Sequence, residues 1–488
     1  MLQDTKWLLV LEVLYGAIGI VAVVRIIYDT RSVSKTLAYL LLVVFVPILG
    51  AIFYFSFGVN YRKRKMYTKK LKMDDATKAQ LQREFAGYGE QVWEKKYPLL
   101  KRHGGLVRLL SSDRVGRSLL SENQEVKILQ NGEELFPRLI EEMKKAQHHI
   151  HIEFYIFEDD EIGRTIRDVM IAKAKEGVEV RFIYDDFGSL SIRRSFVREL
   201  RENGVEAYPF NRIRIIGLAN RLNYRNHRKI VVIDGVTSFV GGINVSDKYI
   251  NTDKGGLYWR DTHMMIKGLS TFTLQQIFLT DWNFCSKNNI RVEQKYFPLE
   301  KHSASGGNLV QIVASGPDSE LPGILFSIMQ AVNQAEKEIF IVTPYYIPDA
   351  SLQEALVIAA LRGVEVKLLV PEKGDSFTVS IASHSYFDEL LSAGVRIYLY
   401  QKGFIHAKTF VIDRVVASVG TANMDTRSFD LNFEVTAIVY DEKVAEEMAR
   451  QFFEDLGNSR ELHKRSWGKR PWWKIFAERL VRLVSPML

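Results

Sequence analysis

Two short segments of the chain each carry a histidine and a lysine two residues apart. His227 and Lys229 stand in the first segment, and His406 and Lys408 stand in the second. A neutral imidazole can attack phosphorus and hold a covalent intermediate, while an ammonium group neutralises the non-bridging oxygens as charge develops on them. A single pair of this kind is more typical of an exposed, solvated strand, so only its repetition points to phosphoryl chemistry.

The repetition extends well beyond these two residue types. Residues 227–244, HRKIVVIDGVTSFVGGIN, align without gaps to residues 406–423, HAKTFVIDRVVASVGTAN, and nine of the eighteen positions are identical. A duplication retained for its core alone would preserve apolar positions, whereas here polar positions are also identical. They are the two His/Lys pairs, Asp234 and Asp413, and Asn244 and Asn423. If a twofold axis brings the pairs to one phosphate, one histidine can be the nucleophile and the other the acid for the leaving group.

The aspartates and asparagines of the repeat have different expected roles. Asp234 and Asp413 lie five residues after the lysines, an odd spacing that directs them away from the His/Lys pair on a regular strand. We therefore expect them to complete the two catalytic His/Lys/Asp sets by bracing the neighbouring loop rather than by touching the phosphate. Asn244 and Asn423 follow glycines that permit close backbone approach, which makes them candidates to bind phosphate oxygens.

The elements around these segments also occur twice. The strand IHIEFYIF from Ile150, a helix ending at Gly177 and the strand VEVRFIY correspond to IFIVTPYYI from Ile339, a helix ending at Gly363 and VEVKLLV. Alternating helical and strand periods predict an α/β fold, and duplicated domains often pair about a pseudo-twofold axis. The Ser/Gly-rich stretch LEKHSASGGN separates the copies. The predicted repeats are residues 123–298 (motif 221–248) and 308–460 (motif 400–427).

Composition excludes several classes of protein. The 488 residues include 47% hydrophobic and 25% charged residues, which excludes wholesale disorder. The single cysteine, Cys285, cannot form an internal disulfide or supply a cysteine-based zinc or iron–sulfur site. The 66 Lys and Arg exceed the 58 Asp and Glu by +8, which favours an anionic partner such as nucleic acid, a phosphorylated molecule or an acidic membrane.

Two apolar stretches predict a transmembrane hairpin within residues 1–60. The spans, about 7–28 and 37–58, each reach the ~20 residues that cross a bilayer as a helix. A cleaved signal peptide is the alternative for the first, but a basic leading region is missing there and a second span follows. Residues 62–72 carry seven basic residues and no acid. Within the basic linker 61–122 they predict a cell-membrane protein with its catalytic body on the cytoplasmic side.

The C-terminal residues 464–488 form a basic amphipathic tail. From Lys464 to Arg482 there are seven basic residues and one acid, with Trp467, Trp472 and Trp473 between them. This pattern is typical of a helix at a membrane interface. An amphipathic helix packed on the protein body fits the pattern nearly as well.

The paired motif HxKxxxxD, followed by glycine and asparagine, resembles the phospholipase D superfamily. Further segments resemble the bacterial cardiolipin synthases within it: RNHRKIVVIDG, YWRDTH, SGPD at Ser315, and NMDTRSFDLNFE from Asn423 to Glu434. The resemblance covers essentially the whole chain. It implies an α/β fold of two phospholipase D-like repeats, each a β-sheet flanked by helices, paired about a pseudo-twofold axis and preceded by the two-helix hairpin.

The resemblance also implies an activity, that of a phosphatidyltransferase. A histidine would attack one phosphatidylglycerol and release glycerol, and the headgroup hydroxyl of a second would displace the phosphohistidine to give cardiolipin. The implied partners are phosphatidylglycerol and anionic membrane lipid rather than nucleic acid, and no metal or nucleotide cofactor is implied. His227 would be the nucleophile and His406 the general acid and base, although a near-symmetric site allows the reverse. Phosphate would be held by Lys229, Lys408, Asn244 and Asn423.

In this superfamily an acidic residue downstream of each motif orients the partner histidine. Asp261 is the candidate after the first motif and Glu434 after the second, because a carboxylate on the far ring nitrogen sets the tautomer. One departure from the family pattern is visible, since Gly268 is followed by Leu269 instead of proline.

Other functions remain open on the site chemistry alone. A phospholipid hydrolase, a phosphatidylserine synthase-like transferase and a nuclease use the same site, and an adaptor with a decayed site is disfavoured because both copies are intact. Five basic residues near the first motif suit lipid phosphate or nucleic acid: Arg212, Arg214, Arg221, Arg225 and Arg228. The cluster His148, His149 and His151 is predicted to begin a strand rather than to bind metal.

Overall fold

The computed structural model describes residues 16–28, 33–55, 100–192, 194–210, 224–251, 256–286, 290, 293–298 and 307–484. The chain divides into two units, one of residues 1–67 with 213–224 and one of residues 68–212 with 225–488. Residues 227–244 and 406–423, which carry the two His/Lys pairs, belong to the larger unit.

The smaller unit contains three helices in its described part. They are α1 (16–28), α2 (Val33–Phe45) and α3 (Pro47–Phe53). The chain leaves the helical path at Val46, directly before Pro47, whose ring cannot donate a backbone hydrogen bond. Within the described residues, no helix combines the length and the hydropathy needed to cross a bilayer. The predicted spans 7–28 and 37–58 lie partly outside those residues.

Strands and helices of the larger unit alternate through both repeats. The first repeat contains β1 (Ser121–Gln130), β2 (His149–Phe154), β3 (Glu179–Asp185), β4 (Glu206–Phe210), β5 (Ile230–Ile233), β6 (Thr237–Gly241), β7 (Tyr258–Arg260) and β8 (Thr262–Gly268). The second contains β9 (Asn308–Ser315), β10 (Glu338–Val342), β11 (Tyr346–Ile347), β12 (Glu365–Pro371), β13 (Arg396–Tyr400), β14 (Gly403–Ile405), β15 (Thr409–Ile412), β16 (Val416–Gly420), β17 (Met424–Asp425), β18 (Glu434–Tyr440) and β19 (Ser459–Leu462).

The helices flank these strands. They are α4 (Gly104–Ser111), α5 (Asn131–Lys145), α6 (Glu161–Lys175), α7 (Arg194–Glu202), α8 (Ser270–Cys285), α9 (Gly323–Gln334), α10 (Ala350–Leu361), α11 (Phe377–Ala393), α12 (Thr426–Asp430), α13 (Glu442–Gly457), α14 (Lys464–Trp467) and α15 (Trp472–Val484). Gly177 and Gly363, which follow α6 and α10, both have φ of 91°. This left-handed conformation closes a helix and is open to glycine without strain, so the predicted helix ends are confirmed.

One sheet runs through both repeats. Its order in the described chain is β19-β13-β12-β10-β15-β16-β18-β9-β1-β8-β6-β5-β2-β3-β4. Outward from the antiparallel β1/β9 pair, where Ser121 lies opposite Val310, six strands on each side match in order, from β8 and β18 to β4 and β13. The edge strand β19 of the second repeat has no counterpart in the described part of the first. An approximate twofold axis through the sheet centre therefore relates the repeats, as the duplicated sequence predicts.

The strands that carry the motifs are buried on both faces. The runs IVVI in β5 and TFVI in β15 have every residue buried, because helices cover the sheet on each side. A central apolar cluster joins the repeats and includes Val240 and Val419. The motif strands therefore have a rigid support shared by the two halves.

The three clustered histidines behave as the strand prediction expects. His149 and His151 lie on β2, and His148 directly precedes it. The His151 ring stacks on Phe278 with centroids 4.5 Å apart, and the His149 ring packs against Tyr296. These side chains fill the core.

Candidate active site

Backbone pairing between the repeats positions the histidine of each motif. β14 pairs in parallel with β7, placing Ile405 opposite Arg260, and the His406 N–H donates to the Arg260 carbonyl over 2.7 Å. His406 thus lies beside the residue that follows Arg260, which is Asp261. Both His/Lys pairs precede β5 and β15 instead of lying within these strands. The backbone N–H of the histidine in each pair is hydrogen-bonded to the other repeat instead.

The first motif shows the same arrangement. Asn226 bridges Phe433 in parallel, and the His227 N–H donates to the Phe433 carbonyl over 3.0 Å. The next residue, Glu434, is therefore brought next to His227. Because the motifs exchange backbone partners across the axis, each repeat supplies the carboxylate for the histidine of the other.

Both carboxylates reach the Nδ1 atom of their histidine. His406 Nδ1 lies 2.7 Å from Asp261 Oδ2, and His227 Nδ1 lies 2.9 Å from Glu434 Oε2. Each carboxylate is fully buried. An acceptor at Nδ1 favours the tautomer with its proton there and leaves Nε2 with a lone pair for reaction.

Different neighbours hold the two carboxylates. Asp261 Oδ1 accepts the Thr262 N–H over 2.7 Å, and a Cβ on Gly242 would lie only 2.2 Å from that oxygen. Thr421 occupies the aligned position in the second copy, and its hydroxyl donates to Glu434. Gly242 leaves room for Asp261, whereas Thr421 supplies a hydrogen-bond donor to Glu434. The residue at this position therefore differs between the copies together with the carboxylate beside it.

Burial sets the charge of the histidines. It lowers the pKa of His227 to about 4 and that of His406 to about 3. The negative charges of Glu434 and Asp261 oppose this shift in the pKa of the histidines, but they do not overcome it. Both imidazoles are neutral near pH 7, which is the state required of a nucleophile.

The lysines are also buried beside the histidines. Burial lowers the pKa of Lys229 to about 7 and that of Lys408 to about 8. Lys229 Nζ donates to the His227 carbonyl over 2.8 Å, and Lys408 Nζ lies 2.9 Å from His406 Nδ1. An anionic phosphate next to these amines would raise their pKa and favour the ammonium form.

Asp234 and Asp413 hold backbone rather than the cavity. Each carboxylate accepts three backbone N–H groups at the start of a neighbouring strand, β2 for Asp234 and β10 for Asp413. Asp234 binds those of Gln147, His148 and His149, and Asp413 binds those of Glu336, Lys337 and Glu338. The expectation that these aspartates brace neighbouring loops is confirmed.

The reactive side chains open onto one cavity of about 400 Å³. His227, His406, Asn244 and Asn423 all line it. Asn244 is held on both sides, since its Oδ1 accepts the Ile156 N–H over 3.2 Å and its Nδ2 donates to the Tyr249 hydroxyl over 2.7 Å. The structure thus brings both motifs to a single site.

The match to known proteins identifies the family. The family model for the cardiolipin synthase, PLD-like domain, matches residues 139–264 and 328–456. The chain belongs to the cardiolipin synthase family. A second model, phospholipase D-nuclease N-terminal, matches residues 17–58.

Individual relatives agree with this assignment. A cardiolipin synthase of Geobacillus sp. (strain WCH70) is 41% identical, covering 94% of this chain and 90% of its own. The major cardiolipin synthase ClsA of Bacillus subtilis (strain 168) is 40% identical, covering 96% and 97%. The crystal structure of phosphatidylserine synthase from Haemophilus influenzae Rd KW20 is 15% identical with a TM-score of 0.58, over 79% of this chain and 100% of that one, and shares the fold.

The departure from the family pattern at Leu269 has a local explanation. Gly268 has φ of 146°, and a Cβ there would lie 2.6 Å from the Asn123 backbone, so the glycine is required. Leu269 has φ of −63° at the start of α8, a value that proline would also adopt. The leucine fits the turn and is not among the residues that line the cavity.

The basic residues near the first motif lie in different environments. Arg225 lines the cavity, whereas Arg228 is buried and pairs with Asp281 in the core. The reading of Arg228 as a ligand of phosphate or nucleic acid is therefore wrong, because a core carboxylate neutralises it. Arg212, Arg214 and Arg221 lie outside the described residues.

Sequence reasoning missed several cavity residues, among them Tyr345, Asp375 and Arg427. Tyr345 and Asp375 follow β10 and β12, which are parallel neighbours. Ligands collect at the carboxyl ends of parallel strands, and this position was the available signal.

Proposed function

We propose that this member of the cardiolipin synthase family joins two phosphatidylglycerol molecules into cardiolipin and releases glycerol. The observation that carries the proposal is the pair of buried, neutral histidines at one cavity, each bound to a carboxylate from the other repeat. Such a site is suited to a covalent phosphohistidine, and the sequence relatives support the lipid substrate.

In the first step, Nε2 of His227 attacks the phosphorus of one phosphatidylglycerol. The P–N bond forms as the P–O bond to glycerol breaks, and His406 gives a proton to the departing oxygen. The bound anionic phosphate raises the pKa of His406 so that it can carry this proton. In the second step, a headgroup hydroxyl of another phosphatidylglycerol gives its proton to His406, forms the P–O bond and displaces the histidine.

The phosphate is held from two sides in this proposal. Lys229, Lys408 and the amide nitrogens of Asn244 and Asn423 would surround it as donors. Arg225 and Arg427 add positive charge at the same cavity. The donors stabilise the charge that develops on the non-bridging oxygens in the transition state.

The proposed location is the cell membrane, with the catalytic body on the cytoplasmic side. The apolar residues 7–28 and 37–58 would form the anchor, and the match of residues 17–58 to an N-terminal phospholipase D model supports a distinct N-terminal element. The basic residues 62–72 would lie against anionic headgroups.

The tail would contact the same membrane. Helix α15 packs on α11 and turns Glu478 inward, where Arg470 binds it. Its outer face exposes five large apolar side chains: Trp472, Trp473, Phe476, Leu480 and Leu483. The helix thus combines the packed and the interfacial patterns, and its exposed stripe with basic flanks suits a lipid interface.

The deciding experiment supplies the full chain with labelled phosphatidylglycerol alone, without CTP or CDP-diacylglycerol. Cardiolipin and free glycerol in equal amounts are expected. Phosphatidic acid as the only lipid product would instead identify a hydrolase, and absence of turnover would refute the proposal. His227→Ala and His406→Ala should each abolish turnover, and a fully active variant would exclude that histidine from the mechanism.

A further inference from the structure

Cations and carboxylates both line the catalytic cavity. At His227, burial, Asp185 and Glu434 raise the pKa of Tyr155, whose ring packs on His227 at 4.8 Å, and Arg225 and Arg427 lower it. At His406, burial lowers the pKa of Lys408, whereas the carboxylates of Asp261, Glu434, Asp375 and Asp425 raise it. Asp375 and Asp425 also line the cavity, and we call the part of the wall that they form the acidic end.

The paired asparagines Asn244 and Asn423 differ in how far protein groups occupy their amide atoms. Asn244 has both its amide oxygen and its amide nitrogen engaged by protein groups. Asn423 donates an amide N–H to the Asp425 carboxylate, and this contact leaves its Oδ1 open. That oxygen is buried in the cavity wall and has no hydrogen-bond partner among the described residues. A buried acceptor without a partner costs free energy unless a ligand supplies a donor.

Tyr345 and Asp375 add a second acceptor to this end. The Tyr345 hydroxyl donates to Asp375 Oδ2 over 2.6 Å. Burial and the Asp375 carboxylate raise the pKa of Tyr345, so the phenol keeps its proton and donates it to that carboxylate. Lys248, a further cation of the cavity lining, lies 3.9 Å from Glu158, which partly balances its charge.

Phosphate oxygens accept hydrogen bonds and carry negative charge, so an end rich in carboxylate and amide oxygens disfavours them. A neutral hydroxyl satisfies such oxygens because it donates. We propose that Asn423 Oδ1, Asp375 and Tyr345 form a subsite for the free hydroxyls of a glycerol headgroup, which selects a polyol as the acceptor alcohol. This subsite deepens the proposed function and rests on it.

The placement agrees with the second chemical step. The acceptor hydroxyl must lie near His406, which takes its proton as the new P–O bond forms and the P–N bond to His227 breaks. A glycerol headgroup has a further hydroxyl beyond the reacting one, and that group would reach the acidic end. A simple alcohol such as ethanol has no such hydroxyl, and water leaves the subsite empty.

The test measures headgroup exchange by the full chain in phosphatidylglycerol vesicles. Labelled glycerol or ethanol is added, and the labelled phosphatidyl products are followed over a range of alcohol concentrations. Asp375→Asn should raise the KM for glycerol by about tenfold, the loss expected for a hydrogen bond to a charged group, with a smaller change in kcat. The preference for glycerol over ethanol should fall by the same factor, and Tyr345→Phe should lower it in the same direction.

Glu354→Gln is the matched control, because it removes an exposed carboxylate of the second repeat outside the cavity lining. It should leave the preference unchanged. An unchanged preference in Asp375→Asn, or an equal loss with glycerol and ethanol, would overturn the subsite. Ethanolamine used more efficiently than glycerol, with Asp375→Asn reducing that use, would show an ammonium site and also overturn it. Failure of the wild-type chain to form cardiolipin while this selectivity persists would refute the proposed function but not the subsite.

Discussion

The protonation state of the two histidines follows from burial, and the carboxylates act mainly on orientation. Burial lowers the pKa of each imidazole well below neutrality, while Glu434 and Asp261 raise the pKa of His227 and His406 only in part. In the proposed reaction, the carboxylates hold the proton on Nδ1 and direct Nε2 to the substrate. His227 is then neutral, as a nucleophile must be, before any lipid binds.

Replacing these carboxylates with amides tests that role. Glu434→Gln and Asp261→Asn should each lower kcat by about a hundredfold, because an amide N–H can donate to Nδ1 and impose the wrong tautomer. Steady-state rates of cardiolipin formation measure the effect, with KM expected to change little. A kcat within twofold of the wild type would contradict the assignment.

The motif aspartates should affect stability more than chemistry. Asp234→Ala removes the acceptor of three backbone N–H groups and should lower the free energy of unfolding by about 2–3 kcal/mol. Urea denaturation measures this loss, and Glu354→Gln serves as a control with no expected change. The folded variant should keep most of its kcat, so a hundredfold loss of activity at unchanged stability would place Asp234 in the reaction.

At the scale of elements, the exchange of backbone between repeats explains why one half cannot form the site. β14 pairs with β7 across the axis, and the Asn226 bridge to Phe433 repeats that pairing. Each exchange carries a carboxylate to the opposite histidine. A separated repeat would therefore have a histidine without its carboxylate.

Gly242→Ala probes this junction through a single methyl group. Its Cβ would come 2.2 Å from Asp261 Oδ1, so the carboxylate must move away from His406. We expect kcat to fall by roughly tenfold to a hundredfold. Gly457→Ala is the control, because a Cβ there meets nothing within 4 Å. Equal activity of the two variants would show that the position of Asp261 has no effect on the reaction.

The sequence predicts the elements better than their long-range partners. The apolar runs and the glycine helix ends locate β2, β10, α6 and α10, because these depend on local periodicity. The Asp261–His406 contact spans 145 residues and follows from strand exchange, so only the family resemblance indicated it. The role of Arg228 depends on Asp281 in a distant helix, and local spacing therefore misassigns it as a surface cation.

At the scale of the whole molecule, a shared sheet places ionisable groups in a continuous interior. Burial lowers the pKa of seven described histidines, to about 3 for His149, His263 and His406 and to about 4 for His227 and His384. The other two are His103 and His151. Of the seven, only His227 and His406 line the cavity of the candidate active site. Their neutrality links the stability of the fold to pH.

Acid should destabilise the protein before its carboxylates titrate. Below the unfolded histidine pKa of about 6.5, the unfolded chain binds protons that the folded chain excludes. The free energy of unfolding is therefore highest above pH 6.5 and falls towards pH 4, by about 1.4 kcal/mol per pH unit for each such histidine. Urea denaturation between pH 7.5 and 4.5 measures the slope of the free energy of unfolding against pH. His149→Phe should reduce this slope by the contribution of about one proton. A stability independent of pH from 6.5 to 5 would contradict the burial of these groups.

The exposed stripe of α15 predicts where the molecule meets lipid. Trp472 and Trp473 are 77% and 55% exposed, whereas Trp467 is buried at 7%. In vesicles that contain lipids with brominated acyl chains, Trp472 and Trp473 should be quenched, because aromatic side chains of an interfacial helix lie at the headgroup and acyl boundary. The double variant Trp472→Phe and Trp473→Phe should lose that part of the quenching while retaining apolar contact. Trp467→Phe should leave the quenching unchanged, since its ring packs against Phe387 inside the protein. If the double variant is quenched as strongly as the wild type, the tail helix faces water and the basic residues beside it have no membrane role.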